Sequence, residues 1–115
     1  MLTKQTFGQA VEALKEGKII NRSGWGRGVF VFRQVPSAIP LGTIPNMTSL
    51  PQAVKDAFVK SGIPINYRNQ FCIVYPSVRN NTLHGWQPSG TDILANDWEI
   101  QDDDYVAGVA PVSTP

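Results

Sequence analysis

The chain has 115 residues, a formal net charge of +1, 42% hydrophobic residues and 17% charged residues. This length fits one domain with a modest core, and a charge near zero excludes the broad positive field that attracts duplex nucleic acid. The one cysteine, Cys72, lies in the apolar run FCIVY, which excludes an internal disulfide and favours a reducing compartment. No apolar stretch approaches the ~20 residues of a membrane span, and the N-terminus is amphipathic. We therefore expect a cytoplasmic protein.

The first predicted element is a helix from Phe7 to Glu16. Thr6 and Gln9 match a capping box, in which each side chain bonds the other residue's backbone N–H group. Apolar residues then recur at helical spacing, and Gly17 is suited to the left-handed conformation that ends a helix. The apolar stripe predicts that this helix covers one face of a sheet.

The sheet itself is predicted from runs rich in β-branched and aromatic residues, with a further short strand over Lys18–Asn21. A proline-rich segment, 36–46, leads to a second helix over Leu50–Lys60, for which Ser49 is the expected cap. The predicted fold class is α+β: a small antiparallel sheet covered by the N-terminal helix, with the second short helix in an insertion. Residues 1–101 are expected to form a single compact domain, and 102–115 a flexible or partner-draped tail. The main predicted strands are Val29–Val35, Phe71–Tyr75, Leu83–Trp86 and Trp98–Ile100.

The stretch from Gly85 to Glu99, GWQPSGTDILANDWE, predicts a strand, a loop, a short helix and a second strand. Ser89 or Thr91 is the expected N-cap, and Asp92 sits where a carboxylate favours a helix start. A helix N-terminus beside an aromatic side chain suits an anionic, ring-bearing ligand. In the alternative interpretation, both tryptophans of this stretch are core residues and the loop only connects two strands.

The loop RSGWGRG, residues 22–28, offers a second candidate binding feature. Its glycines allow the backbone to approach another chain or a ligand closely. Trp25 is then a stacking platform with the guanidinium of Arg27 beside it. In the alternative, the loop is a simple connection and its tryptophan folds back on the core. The residues leave both interpretations open.

Catalytic patterns are lacking in the sequence. His84 is the only histidine, no Cys/His spacing suggests zinc, and neither a Walker lysine motif nor a dinucleotide fingerprint is present. We therefore expect no enzyme activity, no metal and no cofactor. Aromatic side chains could stack on bases, arginines such as Arg22 could meet phosphates, and amides or Asp92 could read base edges and ribose hydroxyls. The predicted ligand-binding residues are Trp25, Arg27, Tyr67, Asn69, Trp86, Pro88, Ser89 and Asp92.

Several segments occur together and in a fixed order: FGQAVEALKEGK, GWGRG, SLPQAVKDAF, INYRNQ and GWQPSGTDILANDWEI. This pattern resembles the second family of Thoeris anti-defence proteins, small phage-encoded sponges for signalling nucleotides. The resemblance covers about Thr6 to Ile100, and the ending WxPSxxDxxAxDW is its most specific part.

The resemblance implies a compact α+β protein that assembles as a homotetramer in the cytoplasm of the infected bacterial host. It implies sequestration, without degradation, of cyclic ADP-ribose isomers made by TIR-domain enzymes, of the glycocyclic type, in pockets at subunit interfaces. Cyclic dinucleotides are an additional ligand class that the resemblance suggests. Polymeric nucleic acid and membranes are not expected partners. The alternatives are a phosphodiesterase or glycohydrolase acting on the same signal, and a phage structural or protein-interaction module.

Overall fold

A computed structural model describes residues 1–26 and 28–105. These residues fall into two compact units, one formed by Met1–Gln34 together with the chain from Gln70 onward, the other by Val35–Asn69. The prediction of one domain over residues 1–101 stays a prediction. In chain order the elements are β1 (Leu2–Gln5), α1 (Phe7–Lys15), β2 (Ile20–Arg22), β3 (Phe30–Gln34), β4 (Ser37–Ile39), a 3₁₀ helix (Leu41–Asn46), α2 (Gln52–Ser61), β5 (Ile65–Tyr67), β6 (Gln70–Pro76), β7 (Asn81–Gly85), α3 (Gly90–Leu94) and β8 (Trp98–Ile100).

The first unit contains a six-stranded sheet in the order β1-β8-β2-β3-β6-β7. All neighbouring strands are antiparallel, so the α+β class and the pairing of the predicted strands in one antiparallel sheet are confirmed. The chain from residue 81 returns beside β6 as a hairpin, with the Ser77 N–H donating to the Asn80 carbonyl at 2.9 Å. Strand β1 was not predicted. It pairs with β8, placing Leu2 opposite Ile100.

Helix α1 covers one face of this sheet, as its apolar stripe predicts. The capping box is present: the Gln9 N–H donates to Thr6 Oγ1 at 3.2 Å, and the Thr6 N–H donates to Gln9 Oε1 at 2.8 Å. At the other end Gly17 has a φ of 85°, which lets the Lys18 N–H reach the Ala13 carbonyl at 3.0 Å. The core cluster comprises Ala10, Ala13, Leu14, Ile20, Val31, Ile73, Trp98 and Ile100.

The second unit has its own small sheet, in which β4 and β5 pair antiparallel. The prediction that Ser49 caps the second helix is wrong: α2 begins at Gln52, Pro51 occupies the N-cap position and no side chain caps it. The proline fixes an extended backbone just before the helix and lacks an N–H group, so the chain enters the helix without a capping side chain. Gly62, with a φ of 68°, ends α2 as predicted.

The helices are short. Helix α2 has 10 residues, α1 has 9 and α3 has 5. A membrane-spanning helix needs about 20 predominantly apolar residues. Within residues 1–26 and 28–105, no helix has the length and apolar character needed to cross a membrane.

Candidate ligand-binding site

A cavity of about 450 Å³ lies beside the hydrophobic core of the first unit. Two of the tryptophans and Asp92, predicted as ligand-binding residues, line it together. The glycine-rich loop and the segment after β7 are therefore adjacent in the folded chain, although about 60 residues separate them in sequence. The residues that line the cavity are Gly24, Trp25, Gly26, Val29, Ile73, Tyr75, Trp86 and Asp92.

The three tryptophans contact one another in a single aromatic cluster. The ring centroids of Trp25 and Trp98 lie 5.4 Å apart, those of Trp25 and Trp86 6.2 Å, and those of Trp86 and Trp98 6.0 Å. All three pairs meet edge to face, the arrangement that aromatic quadrupoles favour. Trp98 is fully buried, whereas Trp25 and Trp86 are half-buried. Trp25 therefore packs on the core and also lines the cavity. Its role as a stacking platform stays a prediction.

Helix α3 brings Asp92 to the cavity. Ser89 is its N-cap, and a capping box joins the two residues: the Asp92 N–H donates to Ser89 Oγ at 3.1 Å, and the Ser89 N–H donates to Asp92 Oδ2 at 2.9 Å. Pro88 lies half-buried in the connection that leads from Trp86 to this cap. The indole N–H of Trp98 donates to the Asp92 carbonyl at 2.9 Å, which ties the helix to the core.

Arg22, at the end of β2, joins the carboxylates of Asp92 and Asp97. Its Nη1 donates to Asp92 Oδ1 at 3.1 Å and its Nε donates to Asp97 Oδ1 at 3.0 Å. All three side chains are at least partly buried, and the pairs join β2, α3 and the residue before β8. The expectation that Arg22 is available for phosphate does not match this arrangement, because its donors already meet two carboxylates.

These contacts shift the ionisation of all three groups. The hydrogen bond from Arg22 is the main cause that lowers the pKa of Asp97, with a further bond from Ser23. Burial is the largest influence on Asp92 and by itself would raise its pKa, but the bonds from Ser89 and Arg22 together outweigh it and lower the pKa. The same two carboxylates raise the pKa of Arg22. Both aspartates are therefore ionised at neutral pH.

The network predicts an acid-sensitive contribution to stability. A carboxylate whose pKa is lower in the folded state stabilises that state above its ordinary pKa of about 4, and loses this contribution as the pH falls through the lowered value. We expect Asp97→Asn to lower the unfolding free energy at pH 7 and to flatten its decline between about pH 5 and pH 2. Denaturant unfolding across this range measures both effects. Asp56→Asn, which changes an exposed carboxylate on α2, is the matched control; parallel curves for wild type and Asp97→Asn would contradict the prediction.

The start of the glycine loop, residues 23–28, is fixed by hydrogen bonds. At its start the Ser23 N–H donates to the Asp97 carbonyl at 3.1 Å, and Ser23 Oγ donates to Asp97 Oδ2 at 3.2 Å. The Trp25 N–H then donates to the Arg22 carbonyl at 3.0 Å. Gly28, at the end of the loop, is buried and has a φ of 74°. Arg27, predicted to bind the ligand, lies outside the described residues.

The remaining predicted residues are in the second unit. Tyr67 ends β5 and pairs with Ser37, and Asn69 follows this strand as an exposed residue. In the first unit, sequence reasoning missed Val29, Ile73 and Tyr75 as lining residues. Alternation along β6 places Tyr75 on the same side of the sheet as the core residue Ile73. This alternation was the available signal, but the near-continuous apolar run of β6 does not show which face is which.

The groups best suited to covalent or metal chemistry occupy other environments. Cys72 is buried, and burial raises the pKa of its thiol. The exposed ring of His84 packs edge to face on Tyr75, with centroids 5.5 Å apart. In the part of the chain that the structure describes, no three His, Cys, Asp or Glu side chains are grouped to hold a metal ion.

Comparison with known proteins agrees with the sequence pattern. Residues 5–101 match the family model described as the Thoeris anti-defense 2-like domain. The chain is also 35% identical over 101 residues to a protein named Thoeris anti-defense 2 from Bacillus phage SP01, an alignment that covers 87% of this chain and 98% of that protein. The family match spans both the glycine loop and the Trp86–Asp92 segment. The suspected resemblance is confirmed: the chain belongs to the Thoeris anti-defense 2-like family and is a Thoeris anti-defence protein.

Proposed function

We propose that the protein binds and sequesters cyclic ADP-ribose-type signalling nucleotides without degrading them, and so blocks TIR-based bacterial immunity. The observation that carries this proposal is the cavity in which Trp25, Trp86 and Asp92 come together. An adenine ring, two riboses and a pyrophosphate need an aromatic surface, hydroxyl acceptors and cationic donors respectively. The described side chains of the cavity supply the aromatic surface and an acceptor for hydroxyl groups.

The size and aromatic lining of the cavity suit one nucleotide-type ligand. Its volume of about 450 Å³ falls in the range of roughly 300–1,000 Å³ that small-molecule sites occupy. Trp25 and Trp86 each bury part of the indole in the aromatic cluster, which holds the rings in place before a ligand arrives. A ring that is already ordered loses less entropy on binding. Base stacking on such a ring contributes about 1–3 kcal/mol.

Charge decides how the polar groups are assigned. The Asp92 carboxylate would repel phosphate, so we assign it to ribose hydroxyls or to a base amine. Arg22 neutralises this carboxylate at 3.1 Å and is engaged by Asp97 as well, so it orients Asp92 rather than binding phosphate. Arg27, two residues after Trp25 in the same loop, is the side chain that we assign to the phosphates.

A second cleft, of about 400 Å³, is less suited to this ligand. It lies beside α1 and β8 and is lined by three carboxylates, those of Glu12, Glu16 and Asp102, against one amine, that of Lys18. Like charges repel, so the carboxylates make binding of a pyrophosphate in this cleft less favourable. The described lining of this cleft has no aromatic ring for a base to stack on. The charge and the lining both favour the tryptophan-lined cavity.

Binding without turnover is the mechanism that the side chains favour. Asp92 lines the cavity and Asp97 shares Arg22 with it. The pKa of each carboxyl is lowered by its hydrogen bonds, so neither donates a proton at neutral pH. Cys72 is buried and its raised pKa keeps the thiol protonated, which makes it a poor nucleophile. Sequestration needs only tight binding and protein in excess of the signal. A Kd of about 1 nM corresponds to roughly −12 kcal/mol.

We expect the protein to release its ligand intact. In the decisive experiment, the protein is incubated with the products of an activated TIR-domain enzyme, separated by filtration, denatured by heat, and the released compounds are identified by mass spectrometry. The proposal predicts an unaltered cyclic ADP-ribose isomer in stoichiometric amount. A hydrolysed product would instead support a phosphodiesterase or glycohydrolase. Recovery of no nucleotide would support a structural or protein-interaction module. Cyclic dinucleotides, offered in a parallel incubation, test the second ligand class.

We further propose that the protein acts in the host cytoplasm as a homotetramer, with the cavity completed across a subunit boundary. Exposed apolar side chains on α3, the short helix that carries Asp92, support this assembly: Leu94 is 80% exposed and Ile93 48% exposed. Burying such side chains in a contact between subunits is favourable. Light scattering should therefore give four times the chain mass at micromolar concentration, and a clean monomer would refute the proposal.

A further inference from the structure

The segment that follows β8 returns to the glycine loop. The Tyr105 N–H donates to the Asp102 carbonyl at 3.1 Å, which forms a turn. The Tyr105 hydroxyl then donates to the Gly28 carbonyl at 3.1 Å. Its ring packs edge to face on Phe30, with centroids 5.5 Å apart and an interplanar angle of 74°. None of these contacts is part of the proposed function.

Gly28 is the point at which the glycine loop joins β3. Its backbone is left-handed, with a φ of 74°, and it directly precedes Val29, a residue that lines the cavity. The other end of the loop is held by the bonds from Ser23 to Asp97. Trp25 lies between these two attachment points, and its indole meets that of Trp98 edge to face. The position of Trp25 in the cavity therefore depends on both ends of the loop.

The hydroxyl of Tyr105 is suited to act as a permanent donor. Its side chain is half-buried, and burial raises the pKa of the phenol above its ordinary value. The hydroxyl thus keeps its proton through the physiological range. Its acceptor, the carbonyl of the buried Gly28, would otherwise need another donor.

We propose that Tyr105 is a positioning residue for the ligand cavity: its hydrogen bond to Gly28 fixes the end of the glycine loop and thereby holds Trp25 in place. The part of this inference that concerns ligand affinity rests on the proposed function. Segment 102–105 is then part of the binding apparatus and not only a lead into the C-terminal tail. Tyr105 acts through Trp25 and Val29.

Tyr105→Phe tests this role because it removes only the hydroxyl and keeps the ring on Phe30. The matched control is Thr6→Val, which removes a hydroxyl hydrogen bond from the cap of α1. The Trp25 and Val29 amides close the turns of the glycine loop, by donating to the Arg22 and Gly26 carbonyls. Without ligand, we expect these two amides to exchange hydrogen about two- to tenfold faster in Tyr105→Phe, as the loss of one hydrogen bond predicts, and to be unchanged in Thr6→Val. Equal exchange in both variants would overturn the inference.

Ligand affinity provides the second measurement, with cyclic ADP-ribose as the probe. Tyr105→Phe should bind it about two- to tenfold more weakly than wild type, while Thr6→Val, with a similar or larger loss of melting temperature, should bind as wild type does. Faster exchange with unchanged affinity would show that Tyr105 holds the loop without positioning the cavity, and would overturn the proposal. If wild type binds neither cyclic ADP-ribose nor the TIR-enzyme products, the proposed function fails. The exchange rates then still decide whether Tyr105 fixes the Trp25 loop.

Discussion

Replacing Trp25 with alanine is expected to weaken the binding of cyclic ADP-ribose roughly tenfold to a hundredfold, because base stacking contributes about 1–3 kcal/mol. Trp25 is half-buried in the aromatic cluster and lines the cavity directly. Titration calorimetry of the wild type and the variant measures the change. An affinity equal to that of wild type would contradict the stacking role and leave Trp25 as a packing residue only.

The control for this variant must also lower stability, at a residue outside the cavity lining. Trp25 is half-buried and meets Trp98 and Trp86 edge to face, and each such aromatic pair contributes about 0.5–1.5 kcal/mol beyond area burial. Trp25→Ala therefore also lowers the melting temperature. Ile20→Val, in the buried core and not in the cavity lining, costs about 0.5–1.5 kcal/mol and should bind as wild type does. A similar loss of affinity in both variants would assign the Trp25 effect to stability.

Trp98→Ala is expected to lower the unfolding free energy by about 3–5 kcal/mol, the largest stability effect of any single substitution proposed for this chain. Trp98 is fully buried, packs against Phe7, Trp25 and Trp86, and donates its indole N–H to the Asp92 carbonyl at 2.9 Å. Alanine would leave a cavity and would remove the shorter of the two hydrogen bonds to the Asp92 carbonyl, which would keep only the 3.4 Å bond from the Ala95 N–H. For a domain with about 5–15 kcal/mol of stability, this loss is a large fraction. Chemical denaturation measures it.

Trp98→Phe separates the two contributions to that loss. Phenylalanine keeps an aromatic ring in the cluster and removes the donor to the Asp92 carbonyl. The phenylalanine variant should lose less unfolding free energy than the alanine variant, because its ring keeps apolar area buried and fills part of the cavity. The loss that remains includes the hydrogen bond to the Asp92 carbonyl. An alanine variant within about 1 kcal/mol of wild type would contradict the central packing role of Trp98.

Local signals predicted the parts of the fold whose causes lie within a few residues. The capping box of Thr6 with Gln9 was predicted because the two residues are three apart in sequence. Ser89 was one of two predicted N-caps of α3, and Asp92 was predicted at the helix start, but the capping box that joins them was not predicted. The strand Trp98–Ile100 was predicted with its observed bounds from its alternation. The apolar stripe of the first helix likewise predicted that this helix covers one face of the sheet.

Features that depend on distant partners were not predicted. Strand β1 has no local pattern, because Lys4 has a φ of 55° and the pairing with β8 shifts register between Leu2 and Gln5. Its partner strand is more than ninety residues away. Similarly, Arg22 has no charged neighbour in sequence, and its partners Asp92 and Asp97 are separated from it by 70 and 75 residues. A single sequence contains no signal for such pairings.

The binding chemistry of individual residues in the candidate site could be predicted from the sequence, but their convergence on one cavity could not. Trp25, Trp86 and Asp92 were chosen because they can stack or accept hydrogen bonds, and the structure places all three at one cavity. Tyr75 was missed because its face is decided by the register of β6 in the sheet. The placement of Arg27 and its contribution to the site stay predictions.

The strand order of the sheet has a consequence for synthesis of the protein. Strand β8 lies between β1 and β2, so two strands from the start of the chain are joined by residues 98–100. While the chain is being made, β1 has no partner until these residues leave the ribosome, and contacts this far apart in sequence form slowly. The aromatic cluster also lacks Trp98 until then. A ribosome stalled before residue 98 would therefore present an incomplete sheet with open edges, and the cavity should become functional only after β8 has been translated.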